Sequence, residues 1–344
     1  MLQRVWRISL ILTLWHAGLA FAAVQIGLRQ TSPVVAFTYD AYDVLSRLAL
    51  RDVERGLSAS FVRGPNFFSH VSLPSWSPSG EWLVWLQLDA ASYWMMMRWD
   101  DLTMRPLAGR LPAGTLLTWS PDERQVVFER LMASGQRRLM LVDVPDGTPQ
   151  FLPEALGVDQ TAPAWSPDGR WIAYQMQSED GVSRVALYDT TAQQIRILGE
   201  PGTFYPAWSP NGQTLAYLRY GSSTPALVLH TLADDRLRLY PFDEPLDFSP
   251  PQWSPDGRWL AFVQGPSQVW LLDTHTDMLT RLTPPNTAQF APRWSPDGRA
   301  LVVNELAPSS RFARLTLIDL HTGHQRPLAP IGLPVSERMP AWMP

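Results

Sequence analysis

The stretch Ala164-Trp165-Ser166-Pro167-Asp168-Gly169-Arg170-Trp171 recurs along the whole chain. The same pattern stands at Ser75-Trp76-Ser77-Pro78-Ser79-Gly80 and at Thr118-Trp119-Ser120-Pro121-Asp122-Glu123. It returns at Ala207-Trp208-Ser209-Pro210-Asn211-Gly212, at Gln252-Trp253-Ser254-Pro255-Asp256-Gly257 and at Arg293-Trp294-Ser295-Pro296-Asp297-Gly298. A shortened seventh copy is Pro340-Ala341-Trp342-Met343-Pro344. The spacings between successive motif tryptophans are 43, 46, 43, 45, 41 and 48 residues. A fixed period of this length signals a repeat architecture, and about 40–45 residues is one four-stranded propeller blade.

Each unit reads as four short strands. In the third unit Thr161–Trp165 is extended, and Ser166-Pro167-Asp168-Gly169 has the residues of a tight turn. Pro presets φ, Asp bonds nearby backbone and Gly accepts a left-handed conformation. Trp171–Met176, Val185–Asp189 and Gln194–Leu198 follow as the second, third and fourth strands. Second strands such as Trp171-Ile172-Ala173-Tyr174 and Trp259-Leu260-Ala261-Phe262 are apolar on both faces. A sheet with one wet face would alternate with polar residues, so these strands fit a sheet held between two neighbours. Each motif Trp is expected to fill the wedge between adjacent blades.

Residues 31–70 lie on the same repeat. Val34–Tyr39 matches a second strand, Arg47–Arg51 a third and Ser58–Val62 a fourth, while the strand bearing the Trp motif is missing. Glu337–Trp342 supplies one such strand. The fold expected is therefore all-β: a seven-bladed β-propeller of four-stranded antiparallel blades, its ring closed by three amino-terminal strands and one carboxyl-terminal inner strand. Closure removes the open edge that β-architectures must otherwise protect. The other blades are expected to start near Val71, Gly114, Gln160, Thr203, Phe248 and Gln289. Residues 31–344 read as one propeller domain.

Residues 1–30 read as a leader. Arg4 and Arg7 precede an apolar run over Ile8–Ala23, and Ala20-Phe21-Ala22 offers a small-residue cleavage pattern. That is the layout of a secretory signal peptide. The apolar character continues through Val24, Ile26 and Leu28, long enough for an uncleaved membrane anchor. Both readings export the ring to the periplasm or the extracellular space. Cysteine is absent, which excludes disulfides and thiol chemistry. The formal net charge of −4 carries no basic patch, so nucleic acid is not an expected partner.

On these motifs the chain resembles the Pro-Asp-type WD-repeat-like propellers. That group includes the TolB propeller, the ring preceding the hydrolase domain of prolyl oligopeptidase-like peptidases, and the oligogalacturonate lyases. The resemblance covers residues 31–344 and implies a propeller without fixing a function. It departs from each relative. Residues 1–30 are too few for the α/β domain that precedes the TolB ring, and seven blades stand where TolB has six. No G-x-S-x-G elbow occurs, since Gly181-Val182-Ser183-Arg184-Val185 lacks the last glycine. The lyase chemistry implies a metal held by several histidines, and this chain has six: His16, His70, His230, His275, His321 and His324. None has the ligand spacing of a metal motif, and His321-Thr322-Gly323-His324 reads as a solvated turn.

Propellers bind partners at the channel mouth, on the loops entering each inner strand. Counting back from each motif Trp, the candidate ligand-binding residues are His70, Asp159, Gln160, Phe204, Asp247, Phe248, Gln289, Phe290, Glu337 and Arg338. They combine aromatic surface with converging polar groups, the composition of a ligand pocket. Asp122, Asp168, Asp256 and Asp297 are read as turn-stabilising carboxylates. No catalytic residue, metal site or cofactor is assigned. The function expected is an exported, non-catalytic scaffold for a protein or peptide partner, a monomeric ring touching membrane only through its amino terminus. The alternatives are a metal-assisted polysaccharide lyase or hydrolase with His70, Asp159 and Asp247 at the mouth, and a sensor ectodomain on an uncleaved anchor.

Overall fold

The computed structural model describes residues 34–41, 45–54, 58–61, 70–88, 93–107, 116–153, 159–221, 224–244, 249–265, 267–284, 287–306, 313–328 and 336–344. Their strands form seven four-stranded antiparallel sheets. Blade 3 shows the pattern: Asp159–Trp165 innermost, then Trp171–Gln177, Ser183–Asp189 and Gln194–Leu198. Blade 1 begins at His70–Trp76, blade 2 at Leu117–Trp119, blade 4 at Thr203–Trp208, blade 5 at Gln252–Trp253 and blade 6 at Ala288–Trp294. In blade 5 the inner strand is only two residues long, because Pro250 and Pro251 just before it offer no N–H. The leader falls outside the described residues. Among those described, no helix is long and apolar enough to cross a membrane.

Blade 7 is shared between the two ends of the chain. Its order is Ser336–Trp342, Val34–Ala41, Leu45–Asp52, Ser58–Phe61. Val35 pairs with Trp342, Ala36 with Ala341, Thr38 with Arg338 and Tyr39 with Glu337. The Met343 N–H adds a further bond to the Val34 carbonyl at 2.8 Å.

Each joint between blades has its own apolar core. Second strands feed two of these cores at once, since successive side chains leave opposite faces of a strand. Ile172, Tyr174 and Met176 pack with Val127 and Leu139 of blade 2, while Ala173 packs with Trp208 and Leu215 of blade 4. Leu83 and Trp85 pack with Val34 and Leu48 of blade 7, while Val84 and Leu86 pack with Val126 and Phe128 of blade 2. This is why these strands carry no polar alternation.

The motif Trp sits in the joint with the preceding blade. Trp165 packs with Val127 and Leu139, and Trp208 with Ala173 and Val185. Four of the indoles also tie blades together. Trp208 Nε1 donates to the Ala164 carbonyl (3.1 Å), Trp253 to Ala207 (3.1 Å), Trp294 to Gln252 (2.9 Å) and Trp342 to Arg293 (3.1 Å). In each case the acceptor is the residue just before the previous motif Trp. Among the described residues Trp76, Trp119 and Trp165 have no partner for the same N–H.

The Ser-Pro-Asp-Gly turn works as a unit. Asp168 Oδ1 accepts from Ser166 Oγ and from the Arg170 N–H (3.0 Å), and Ser166 Oγ accepts the Trp171 N–H (2.8 Å). The Gly169 N–H returns to the Ser166 carbonyl at 2.9 Å with φ +72. The same bonds recur around Ser120, Ser254 and Ser295. Successive turns also touch. A Cβ added at Gly212 would lie 3.5 Å from Pro167 Cδ, and one at Gly257 the same distance from Pro210 Cδ. At Gly80 the neighbours are Met343 and Pro344. Three motifs depart from the pattern: Asn211 replaces Asp but accepts the same bonds, while Ser79 in place of Asp and Glu123 in place of Gly meet, Ser79 Oγ donating to Glu123 Oε2 at 2.8 Å.

These turns predict an acid sensitivity. The bond from Ser120 holds Asp122 below the ordinary carboxylate range. For Asp256 and Asp297 burial pushes upward, but the bonds from Ser254 and Ser295 and from the Arg258 and Arg299 backbone outweigh it. A carboxylate depressed in the folded state stabilises above its unfolded pKa, and that stabilisation is lost as pH falls through the folded value. The urea midpoint should therefore fall below about pH 4, with these aspartates contributing no change between about pH 5 and 7. A midpoint unchanged from neutral pH to about pH 3 would contradict this role for the turn aspartates.

Candidate functional site at the channel mouth

The inner strands carry a built-in irregularity that decides which way the candidate residues face. In blades 3, 4 and 6 the pairing slips between Thr161 and Ala164, between Phe204 and Ala207, and between Phe290 and Arg293. Within each slip a non-glycine residue is left-handed: Ala162 at φ 49, Tyr205 at φ 54 and Ala291 at φ 50. One extra residue on the inner strand is a β-bulge, and it reverses the parity of every side chain beyond it. The Ala162 N–H freed by the bulge is accepted by Glu129 Oε1 of blade 2 at 2.7 Å.

In these three blades the residue five before the motif Trp therefore faces the same joint as the Trp itself. Gln160 is fully buried, its Oε1 accepting the Leu139 N–H (3.2 Å) and its Nε2 donating to the Pro153 carbonyl (3.1 Å). Thr203 does the same in the next blade, with Oγ1 accepting the Val185 N–H at 2.9 Å. Gln289 is also fully buried, donating to Glu305 Oε2 (3.0 Å) and Gln325 Oε1 (2.8 Å). Asp159 accepts the Arg137 N–H through Oδ1 at 2.9 Å, another bond to the preceding blade. Gln160, Thr203 and Asp159 thus each tie their own blade to the preceding one, while Gln289 braces Gln325, whose Nε2 donates to the Leu282 carbonyl of blade 5 at 2.9 Å.

Phe204 is half-buried, edge-on to Tyr220 with ring centroids 5.6 Å apart, against the core between blades 4 and 5. Phe290 is half-buried on the inner strand of blade 6. His70, Glu337 and Arg338 lie in inner strands, opposite Leu88, Tyr39 and Thr38 in the backbone register. Their side chains, and the whole of Asp247 and Phe248, lie outside the described residues.

One charged residue of the inner strands escaped the sequence reading. Arg293 stands immediately before Trp294, where blades 3 and 7 carry Ala164 and Ala341. Those alanines pack against the motif Trp of the following blade. Arg293 occupies the equivalent place between blades 6 and 7, and its own carbonyl receives the Trp342 indole. Its Nη1 donates to the Pro292 carbonyl at 3.3 Å. Burial lowers its pKa, and no carboxylate pairs with it among the described residues. A guanidinium half-withdrawn from water without a counter-charge carries a desolvation cost that an incoming anion would relieve. The signal in the sequence was an Arg where the other repeats carry Ser, Thr, Ala or Gln.

Two further carboxylates serve turns. Asp189 Oδ1 accepts the N–H groups of Thr191 and Ala192, and its Oδ2 takes Arg170 Nη2 at 3.0 Å. Asp319 caps the His321–His324 turn through the His321 and Thr322 N–H groups. Among the described residues no three His, Asp or Glu side chains gather as a metal cluster.

Comparison with known proteins agrees with this ring. Residues 188–307 match the family model described as the TolB beta propeller domain. No curated protein matches the chain in sequence. Among solved structures, TolB from Acinetobacter baumannii is similar at 17% identity over 91% of this chain and 83% of that one, with a TM-score of 0.55. The β-propeller domain of the Trilobed protease from Pyrococcus furiosus, described as having an open velcro topology, is similar at 11% identity over 88% of this chain and 98% of that one, TM-score 0.67. An oligogalacturonate lyase in complex with manganese is similar at 15% identity over 82% of this chain and 85% of that one, TM-score 0.63. At these identities the likeness concerns the fold.

Proposed function

We propose, taking the chain as a TolB-like propeller, that it is an exported, non-catalytic scaffold of the cell envelope that receives an acidic protein or peptide segment in its channel. The observation that carries this reading is Arg293, a half-buried cation on an inner strand with no counter-charge among the described residues. Many of the carboxylates whose contacts are described serve turns, joints or ion pairs with arginine, which supports a binding role for the inner surface over an acid–base one. A peptide carboxylate bonded to a half-buried guanidinium is among the stronger single contacts available to such a ring. Phe290 on the same strand, with His70, Asp247, Phe248, Glu337 and Arg338 around the mouth, would complete the binding surface.

The test is selection of peptides from a random display library on the immobilised ring. The selected peptides should be enriched in Asp and Glu, and Arg293→Gln should weaken them by about tenfold or more, the scale of a charge-assisted bond. Peptides without acidic bias, or binding indifferent to Arg293→Gln, would refute the proposal. The manganese-bound lyase of similar fold motivates the second reading, a metal-assisted lyase or hydrolase. Stoichiometric divalent metal surviving dialysis, together with no selected peptide, would favour it.

A further inference from the structure

A second site lies on the outside of the ring, in the joint between blades 3 and 4. A cavity of about 320 Å³ opens there, at the lower end of the range of ligand pockets. Tyr217, His230 and Thr203, all buried, line it. Leu198 and Val228 add buried aliphatic wall, and Ile197, Leu237 and Leu239 stand around it 53%, 46% and 42% exposed. Large aliphatic side chains are left this open on a soluble ring only at a cost unless something covers them.

The polar groups decide what that is. Asp235 Oδ1 lies 2.7 Å from His230 Nε2 and 3.6 Å from Arg196 Nη2, so its charge is already engaged. Arg219 is different. Its Nε is buried with no partner, and its Nη1 reaches only to 4.0 Å from Glu200 Oε2, a side chain 78% exposed. An arginine carries five donors in a fixed fork, and this one is under-used.

Asp235, His230 and Tyr217 form a carboxylate–imidazole–hydroxyl line, with Tyr217 Oη 3.4 Å from His230 Nδ1. It is not a nucleophile relay. Burial pushes the Tyr217 hydroxyl up to about 12, so it stays protonated at neutral pH.

We propose that this cleft is a binding site for a short free fatty acid, its carboxylate on Arg219 in place of Glu200 and its alkyl chain against Leu198, Val228, Leu237 and Leu239. The bidentate fork suits a carboxylate, and the aliphatic wall suits an unbranched chain. Glu200 is the competitor that the ligand must displace.

Calorimetric titration of the whole protein with octanoate tests this, with octanol as the uncharged control of like chain length. Saturable one-site binding is expected, with octanol at least tenfold weaker. Arg219→Gln should erase that difference. Glu200→Gln, at an exposed position where folding is not at stake, should tighten octanoate several-fold. Octanoate and octanol of equal affinity, no saturable binding, or Glu200→Gln without effect would each overturn the proposal. Acetyl-leucyl-leucine with a free carboxyl group is the last arm: if it binds tighter than octanoate, the fatty-acid assignment fails in favour of a peptide carboxyl end.

Discussion

Deleting Glu337–Pro344 should unfold the ring rather than trim it. The deletion removes nearly all of the inner strand of blade 7, with its pairing to Val34–Ala41 and the Met343 bond to Val34. It removes Trp342, whose indole ties blade 7 to Arg293 and whose ring packs in the joint between blades 6 and 7. Ala341 and Met343 leave the joint between blades 7 and 1 at the same time. Loss of a fully buried Trp costs about 3–5 kcal/mol, and half-buried Trp342 contributes a part of that. With the strand gone as well, the total approaches the net stability of an ordinary protein, about 5–15 kcal/mol. Circular dichroism against urea should show a broad transition at much lower midpoint, and a synthetic peptide spanning Ser336–Pro344 should recover some of the loss. An unchanged midpoint would remove the shared blade from the description of this fold.

The second large effect concerns the motif tryptophans. Trp165→Ala and Trp208→Ala should each destabilise by about 3–5 kcal/mol, since both rings are buried in joint cores. They should differ when the ring is kept and only the N–H is lost. Trp208→Phe breaks the bond to the Ala164 carbonyl and should cost about 1 kcal/mol more than Trp165→Phe, whose indole has no partner to lose. Equal urea midpoints for the two Phe variants would show that the staple is energetically silent. A Trp165→Ala variant as stable as the parent would contradict the wedge role itself.

Most of the ring was legible because its period is written in large residues. Seven tryptophans at near-constant spacing fixed the blade count, and two-sided apolar strands such as Trp171–Gln177 implied a neighbour on each face. The match of Val34–Tyr39 and Glu337–Trp342 to different strands of one unit foretold the closure, which the register of blade 7 bears out. Side-chain direction was not legible. Counting back five residues from a motif Trp placed Gln160 and Gln289 near the mouth, but the bulge at Ala162 and its counterpart at Ala291 turn both into joints. Nothing in a run such as Gln160-Thr161-Ala162-Pro163 announces a left-handed alanine. The outer cleft was hidden for another reason. Its groups come from the outer strand of blade 3 and from all four strands of blade 4, and only tertiary packing brings Arg219 beside Glu200 and Tyr217 beside His230.

The pairing of Val35 with Trp342 also sets a timetable. A polypeptide is made from its amino end, so Val34–Ala41 emerges long before its partner Ser336–Trp342. Contacts this distant along a chain bear the greatest loop-closure entropy and form slowly. Until Ser336–Trp342 is made, a nascent molecule carries an unpaired strand edge that any other strand could capture. During folding Val34–Ala41 is therefore the one segment above all to shield, and its exposure ends only when Ser336–Trp342 docks beside it.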